Sequence, residues 1–329
     1  MREDLQYSPV DELHSEPLTA VVDGTQAGMR LDAACAALFP DYSRARLKIF
    51  IEAGRVQVNG AMQVKPRLIT EAGDVVAVTP EIAVETRLSA QNIPLNIVFA
   101  DAHLAIINKP AGLTVHPGAG TPDGTLQNAL LHHFPQTTHI ARNGLIHRLD
   151  KDTTGLMVVA LSAIGHTSLT AAMAERRIKR EYDALVNGEV VAGGTVDEPI
   201  ARHPRDRIRM AVVLGGRSAI SHYRVAERFA WHTLLRVQLQ TGRTHQIRVH
   251  MAHLKHPVAG DGLYGGDVLR ARGASPALRA AVAGFTRQAL HAAALELVHP
   301  VSGESLSFVA ARPAEFEALL SVLRRESPP

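Results

Sequence analysis

HRLDKDTTGLMVVA, residues 147–160, places a histidine, an arginine, two acids and a lysine in its first six positions. After Gly155 it turns apolar. A short apolar run behind turn residues reads as a strand buried on both faces. The charged residues therefore sit on a loop that enters this strand. Working outward, LNIVFAD (95–101), LAIINKP (104–110), YDALVNGEV (182–190) and LLRVQLQTG (234–242) read as further strands. TLQNALLHHF (125–134) and HTSLTAAMAERR (166–177) read as helices between them, and PAEFEALLSVLRRE (313–326) as a last amphipathic helix behind Pro313. Strands and helices mix without a regular βαβ beat. That pattern predicts an α+β class with a largely antiparallel mixed sheet over 95–329.

Composition bounds the rest. The 329 residues suggest two domains, and 46% hydrophobic against 20% charged residues permits a sizeable core. The formal charge of +3 and a pI near 9.2 suit a nucleic-acid partner without requiring one. One cysteine, Cys35, excludes an internal disulfide and any CxxC metal motif, and it fits a reducing, cytoplasmic setting. Residues 1–17 mix charge with Ser and Pro and read as a flexible tail, not a signal peptide. No apolar run is long enough to span a bilayer, so no membrane partner is expected.

A small α/β unit is expected over 18–80. MRLDAACAALFP (29–40) and DYSRARLKIFIEAG (41–54) carry helical spacing, with Ser43 as N-cap and Gly54 as stop. Asn59-Gly60 marks a hairpin, and EAGDVVAVTP (71–80) adds a turn and strand. Arg44, Arg46 and Lys48 open the second helix and Arg55 follows it. They form either a solvated helix face or a face for phosphates. EIAVETRLSAQNIP (81–94) reads as a linker.

The chemistry of the charged loop admits several readings. Asp150-Lys151-Asp152-Thr153-Thr154 fits the D-x-D-x-T pattern of haloacid-dehalogenase-like phosphotransferases, where the first acid attacks phosphorus and the second is acid and base. That pattern belongs after an apolar parallel strand. Here Ile146, His147, Arg148 and Leu149 precede Asp150, and the acids of GDGLYGGD (260–267) are wrongly spaced for the partner motif. HQIRVHMAHLKH (245–256) gathers His245, His250, His253 and His256, but in a strand-like stretch with no carboxylate at ligand spacing before Asp261. Hydrogen-bonded or surface histidines are the better reading, and no metal is expected. Asp150 alone can act as a covalent nucleophile or base at a sugar carbon. It must be ionised, and Arg148, Lys151, Arg243 and Arg248 are candidate counter-charges.

Larger motifs now bear on the choice. GLIHRLDKDTTGLMVVA (144–160), RRIKREYDALVNG (176–188) and LLRVQLQTGRTHQIRVHMAHLKHPVAGDGLYG (234–265) resemble three motifs of the RluA-type pseudouridine synthases. IINKPAGLTVHPG (106–118) and RQALHAAALELVHP (287–300) resemble two more. SRARLKIFIEAGRVQVNG (43–60) resembles an S4-type RNA-binding domain. FPDYSRARLKIFIEAGRV (39–56), VHPGAGTPDGTLQNALLHHFP (115–135) and GGTVDEPIARHP (193–204) resemble the branch that acts on large-subunit ribosomal RNA.

The resemblance runs from about residue 18 to 325. It implies isomerisation of uridine to pseudouridine in 23S rRNA, in the helix 69 loop around positions 1911–1917, on free RNA or an assembling large subunit. It implies a monomer and no cofactor. Asp150 would be the catalytic acid, Arg243 would ion-pair with it, and Tyr182 would stack on the uracil. Arg148 would stack where the base left, His147 would position the loop, and Leu290 would line the pocket. Thr153, Thr154 and Gly155 would shape the turn, with Asp152 structural. Arg44, Arg46, Lys48 and Arg55 would meet RNA. A non-catalytic RNA-binding assembly factor is the alternative from another class.

Overall fold

The computed structural model describes residues 17–40, 42, 44–79, 88–118, 120–206, 208–267 and 273–326. Residues 1–16 of the expected tail, the Ser43 cap and residues 81–87 of the expected linker lie outside them. The chain divides into two compact units, one ending at residue 87 and one beginning at Leu88.

The first unit runs β1 (Leu18–Val21), α1 (Leu31–Leu38), α2 (Arg44–Glu52), β2 (Val56–Val58), β3 (Ala61–Gln63), β4 (Val75–Val78). Its antiparallel sheet has the order β1-β4-β2-β3. Asn59 and Gly60 both take positive φ, 52° and 78°, between paired Val58 and Ala61. This is the mirror-image turn that an Asn-Gly pair favours. Leu31 and Cys35 from α1 and Leu47, Phe50 and Ile51 from α2 bury against Val56, Val76 and Val78. Burial, and then the Asp32 charge, push the Cys35 thiol up to about 12, so it is an inert core residue.

The second unit runs β5 (Ile97–Ala100), β6 (Leu104–Lys109), α3 (Leu126–His133), β7 (Thr154–Ala160), α4 (Ala163–Ala174), β8 (Lys179–Asn187), β9 (Gly194–Asp197), β10 (Ile200–Arg202), β11 (Met210–Val212), β12 (Ile220–Arg228), β13 (His232–Leu239), α5 (Gln246–His253), α6 (Pro276–Gly284), β14 (Leu290–Val298), β15 (Ser305–Val309), α7 (Ala314–Glu326). A nine-stranded sheet has the order β5-β6-β7-β14-β8-β13-β12-β9, with β15 also on β14. Every pairing is antiparallel except a short parallel register of β7 on β14, His291 to Thr154 and Ala292 to Gly155. The mixed, mostly antiparallel α+β reading holds.

Strand alternation builds two cores. Ala105, Ile107, Met157 and Val159 face one layer with Leu126, Leu130 and Phe316. Leu104, Ile106, Leu156 and Val158 face the other with Leu169 and Leu295. All seven residues of β7 are buried, which is why its sequence shows no polar alternation. The β7–β14 approach is so close that a Cβ on Gly155 would sit 2.2 Å from the Ala292 carbonyl oxygen, and Gly155 has φ +110°. Only glycine serves there.

Residues 88–94, expected as linker, run along α3 instead. Asn128 Nδ2 donates to Ser89 O at 2.9 Å, and His133 Nε2 lies 2.8 Å from Ile93 O. Helix α3 itself begins with a capping box, Thr125 with Asn128. HQIRVH, expected as strand, is helix α5. All of Gln246–Met251 is buried, so no amphipathic period marks it.

Candidate active site

A cavity of about 740 Å³ lies in the second unit, where the loop before β7, the start of β8 and the loop into α5 converge. Asp150, Tyr182, Arg148, His147, Leu290 and Arg243 all line it. Arg44, Arg46, Lys48 and Arg55 belong to the other unit. Among the described residues, Asp150 is the only carboxylate in the lining, against Arg142, Arg148, Arg176, Arg180, Arg243 and Arg248. Such a field favours an anionic ligand.

The loop carrying Asp150 is held at nearly every residue. Asp150 O accepts from Thr153 N at 3.1 Å. Lys109, fully buried at the end of β6, donates from Nζ to Lys151 O at 2.8 Å, Pro110 O at 2.7 Å and Leu113 O at 2.9 Å. An ammonium has three donors, and all three are used. Burial pulls the Lys109 ammonium down to about 8, with Asp152 and Asp150 partly offsetting it. Gln288 Nε2 donates to Thr153 Oγ1 at 3.1 Å, and Thr154 Oγ1 lies 2.8 Å from His291 Nδ1. His147 Nε2 accepts from Val158 N at 3.1 Å. Burial, and then the charge of Arg180, push that imidazole down to about 3, so it is neutral and ties the loop to β7. Asp152 is used through its backbone carbonyl, which lies 3.3 Å from Arg287 Nη1.

The counter-charge of Asp150 is Arg248, not Arg243. Arg248 Nη1 stands 3.1 Å from Asp150 Oδ2. Its other nitrogens grip Asp261, Nε at 2.6 Å and Nη2 at 2.8 Å, and its Cζ lies 5.0 Å from the Tyr264 ring centroid. Burial pulls the guanidinium down, but its bonds and charge contacts with Asp261 and Asp150 outweigh this and hold it above the usual arginine value. Arg243 sits in the loop before α5, its amide bonded to Gln246 Oε1 at 2.9 Å and its Nε to Ser218 O at 3.0 Å. Its guanidinium is turned toward that carbonyl, so the expected ion pair with Asp150 is absent. The helical turn of α5 explains the exchange, because it presents Arg248 inward between the two acids.

Tyr182 on β8 is 4% exposed, and burial raises its phenol above the ordinary value, with Arg180 opposing and Asp150 adding to the rise. Leu290 opens β14 opposite Ala184 of β8 and is buried. Arg148 is exposed beside Asp150. Three of the four clustered histidines are hydrogen-bonded, His245 Nδ1 with Tyr264 OH at 2.8 Å, His250 with Ser221 Oγ and Glu198 O, and His256 with Asn187 O, and His253 is exposed. Among the described residues no group of three or more His, Cys, Asp or Glu can hold a metal ion. Sequence reasoning missed Lys109, Gln246 and Arg180. A lysine ending a strand carries no local mark of burial, and only the three converging carbonyls give it a role.

In the first unit, Arg44 binds the buried Asp32 through Nε at 3.0 Å and Nη2 at 2.8 Å. Arg46 lies over the Phe50 ring at 5.1 Å, and Lys48 Nζ is 3.5 Å from Glu52. The cationic face is partly tied into its own helix pair.

A cavity that steadies one carboxylate among arginines suits an anionic substrate, and comparisons with known proteins identify the class. Residues 103–253 match the RNA pseudouridylate synthase model, and residues 29–76 match the S4 domain. The ribosomal large subunit pseudouridine synthase D of Vibrio parahaemolyticus is 50% identical over 310 residues, covering 94% of this chain and 95% of that one. That of Escherichia coli is 51% identical over 309 residues, again 94% and 95%. That of Xanthomonas campestris is 50% identical over 318 residues, 95% and 96%. The solved human RNA pseudouridylate synthase domain-containing protein 4 superposes with a TM-score of 0.54 at 27% identity, covering 70% of this chain and 93% of that one. The chain belongs to the RluA-type family of RNA pseudouridine synthases, which are isomerases.

Proposed function

We propose that this chain isomerises uridine to pseudouridine in 23S large-subunit ribosomal RNA, at the helix 69 loop, on free RNA or an assembling subunit. Relatives that are half identical over almost the full chain, and that bear the name of the ribosomal large subunit, support the substrate. The observation that carries the chemistry is Asp150, among the described residues a lone carboxylate fixed by Arg248 in a cavity lined by six arginines.

A uridine in folded RNA leaves its stack to enter the cavity. Asp150 attacks C1′, or acts as base on the ribose, as the N1–C1′ bond breaks. Uracil turns, C5 bonds to C1′ as the Asp150–C1′ bond breaks or as Asp150 returns the ribose proton, and C5 gives up its proton while N1 ends with one. Nothing is oxidised or hydrolysed, so the atoms balance without a cofactor. Tyr182 stacks on the uracil and relays the C5 proton, and Leu290 packs beside it. Arg148 stacks at the vacated position, and His147 positions the loop. Arg243, released from the role of counter-charge, meets the RNA backbone. Arg44, Arg46, Lys48 and Arg55 supply further phosphate contacts. The enzyme works as a cytoplasmic monomer.

The test is a pair of variants assayed on 23S rRNA, with pseudouridine mapped in cells lacking the protein. Asp150→Asn abolishes pseudouridine formation and keeps RNA binding, while Asp152→Asn, which keeps the backbone contact to Arg287 and removes only a charge that helps hold the Lys109 proton, is milder. Activity in Asp150→Asn, or the reverse ranking, refutes the assignment. An unchanged rRNA map in the deletion strain refutes the substrate.

A further inference from the structure

We infer that Arg180 binds a backbone phosphate next to the target nucleotide, which makes it a substrate-binding residue outside the set Asp150, Tyr182 and Arg243. The inference rests on the RNA-isomerase reading and deepens it. Arg180 stands two residues before Tyr182 on β8, so both side chains leave the same face of the strand into the cavity. It is 7% exposed. A guanidinium that deep is expected to be paired. No carboxylate oxygen lies within 4.0 Å of it and no hydrogen bond to its nitrogens is present among the described residues, and its Nε is buried without a partner. Among the described residues, the only carboxylate of the cavity is already engaged by Arg248, which Asp261 holds from behind.

The charge also has a fixed address. A Cβ on Gly242 would lie 2.8 Å from Arg180 Nη1, so the guanidinium rests against the backbone of the loop that leads into α5. A buried, unpaired and immobilised cation on the wall of a cavity awaits an anion. An RNA substrate brings one on each side of the flipped nucleoside. Uracil itself carries no charge, so the partner is a phosphodiester, and the planar fork suits two of its oxygens.

The experiment uses full-length enzyme and a minimal RNA containing the mapped uridine, in which the 5′ or the 3′ flanking phosphate is replaced by a neutral methylphosphonate. One of the two replacements lowers kcat/KM of the wild type about 10- to 100-fold, the range of one charge-assisted hydrogen-bonded contact. Arg180→Gln loses a similar factor on native RNA and nothing further on that methylphosphonate RNA, while the other replacement still adds its own effect. Gly242→Ala, which must shift the guanidinium by a small distance and keeps the charge, loses less than Arg180→Gln. Arg180→Lys recovers part of the rate. The melting temperature of free Arg180→Gln equals or exceeds that of the wild type, because an uncompensated charge has left the interior. Independent, multiplying losses for both replacements overturn the inference, as does a lowered melting temperature with unchanged kcat/KM. If mapping assigns the enzyme to another RNA, the substrate reading fails, and the same cycle on that RNA still decides the role of Arg180.

Discussion

Lys109→Met removes the group that holds the Asp150 loop from below. The fully buried ammonium serves three carbonyls, and one of them, Lys151 O, belongs to the residue after Asp150. Met fills similar volume but leaves three acceptors without a donor, at about 1–2 kcal/mol each. Against this stands the relief of a buried charge. Its proton affinity falls from 10.5 to about 8, roughly 2.5 units or about 3 kcal/mol. The net loss of stability near pH 7 is therefore small, about 0–3 kcal/mol.

Activity should suffer far more, because a displacement of order 1 Å at a reacting group costs about 100-fold. The pH dependence gives a second reading. Between pH 8 and 10.5 the unfolded chain keeps the Lys109 proton and the folded protein has released it. Wild-type stability thus gains relative to Lys109→Met as pH rises through that window. Over the same window a neutral amine has only two donors for three carbonyls, and the wild-type rate falls. Urea unfolding from pH 7 to 10, beside single-turnover pseudouridine formation, measures both. A variant within threefold of the wild-type rate, or a stability difference flat across pH 8–10, refutes the reasoning.

Arg248→Gln leaves Asp261 and Asp150 without their cation and should cost about 3–5 kcal/mol in denaturant unfolding, whereas Arg243→Gln should stay within about 0.5 kcal/mol. The opposite ranking restores Arg243 as the counter-charge. Substituting Arg44, Arg46 and Lys48 together by Gln should reduce the log–log salt slope of RNA binding by roughly one unit for each phosphate that is no longer neutralised. The reduction should fall short of the full set of three charges, since Arg44 is spent on Asp32. An unaltered slope makes the face a solvated one. His232 is fully buried, neither ring nitrogen has a partner among the described residues, and burial pushes it down to about 4. The unfolded chain takes up that proton near pH 6.5, so this residue costs stability as pH falls from 6.5 to 4, in total on the order of 3 kcal/mol. His232→Phe should lose less stability than wild type between pH 7 and 4.5, and parallel losses in urea titrations reject the assignment.

Local chemistry decided much of this protein in the sequence itself. Asn59-Gly60 specifies its hairpin because both residues accept positive φ. The apolar run 154–160 announces a strand buried on both faces, and its position after Asp150 sets aside the phosphotransferase pattern. The motif resemblance gathered Asp150, Tyr182, Arg148, His147, Leu290 and Arg243, and all six line one cavity. Which arginine pairs with Asp150 was beyond local reading. Arg243 and Arg248 are five residues apart in one motif, and HQIRVH looks like a strand because its burial leaves no helical period to read. Only as helix α5, with Asp261 behind it, does the segment aim Arg248 at Asp150. The same holds for Lys109 and Arg180, whose roles depend on partners gathered or withheld by distant segments. A charge in a sequence records its sign, whereas its desolvation and its nearest counter-charge are properties of the packed interior, where electrostatic interactions are strongest.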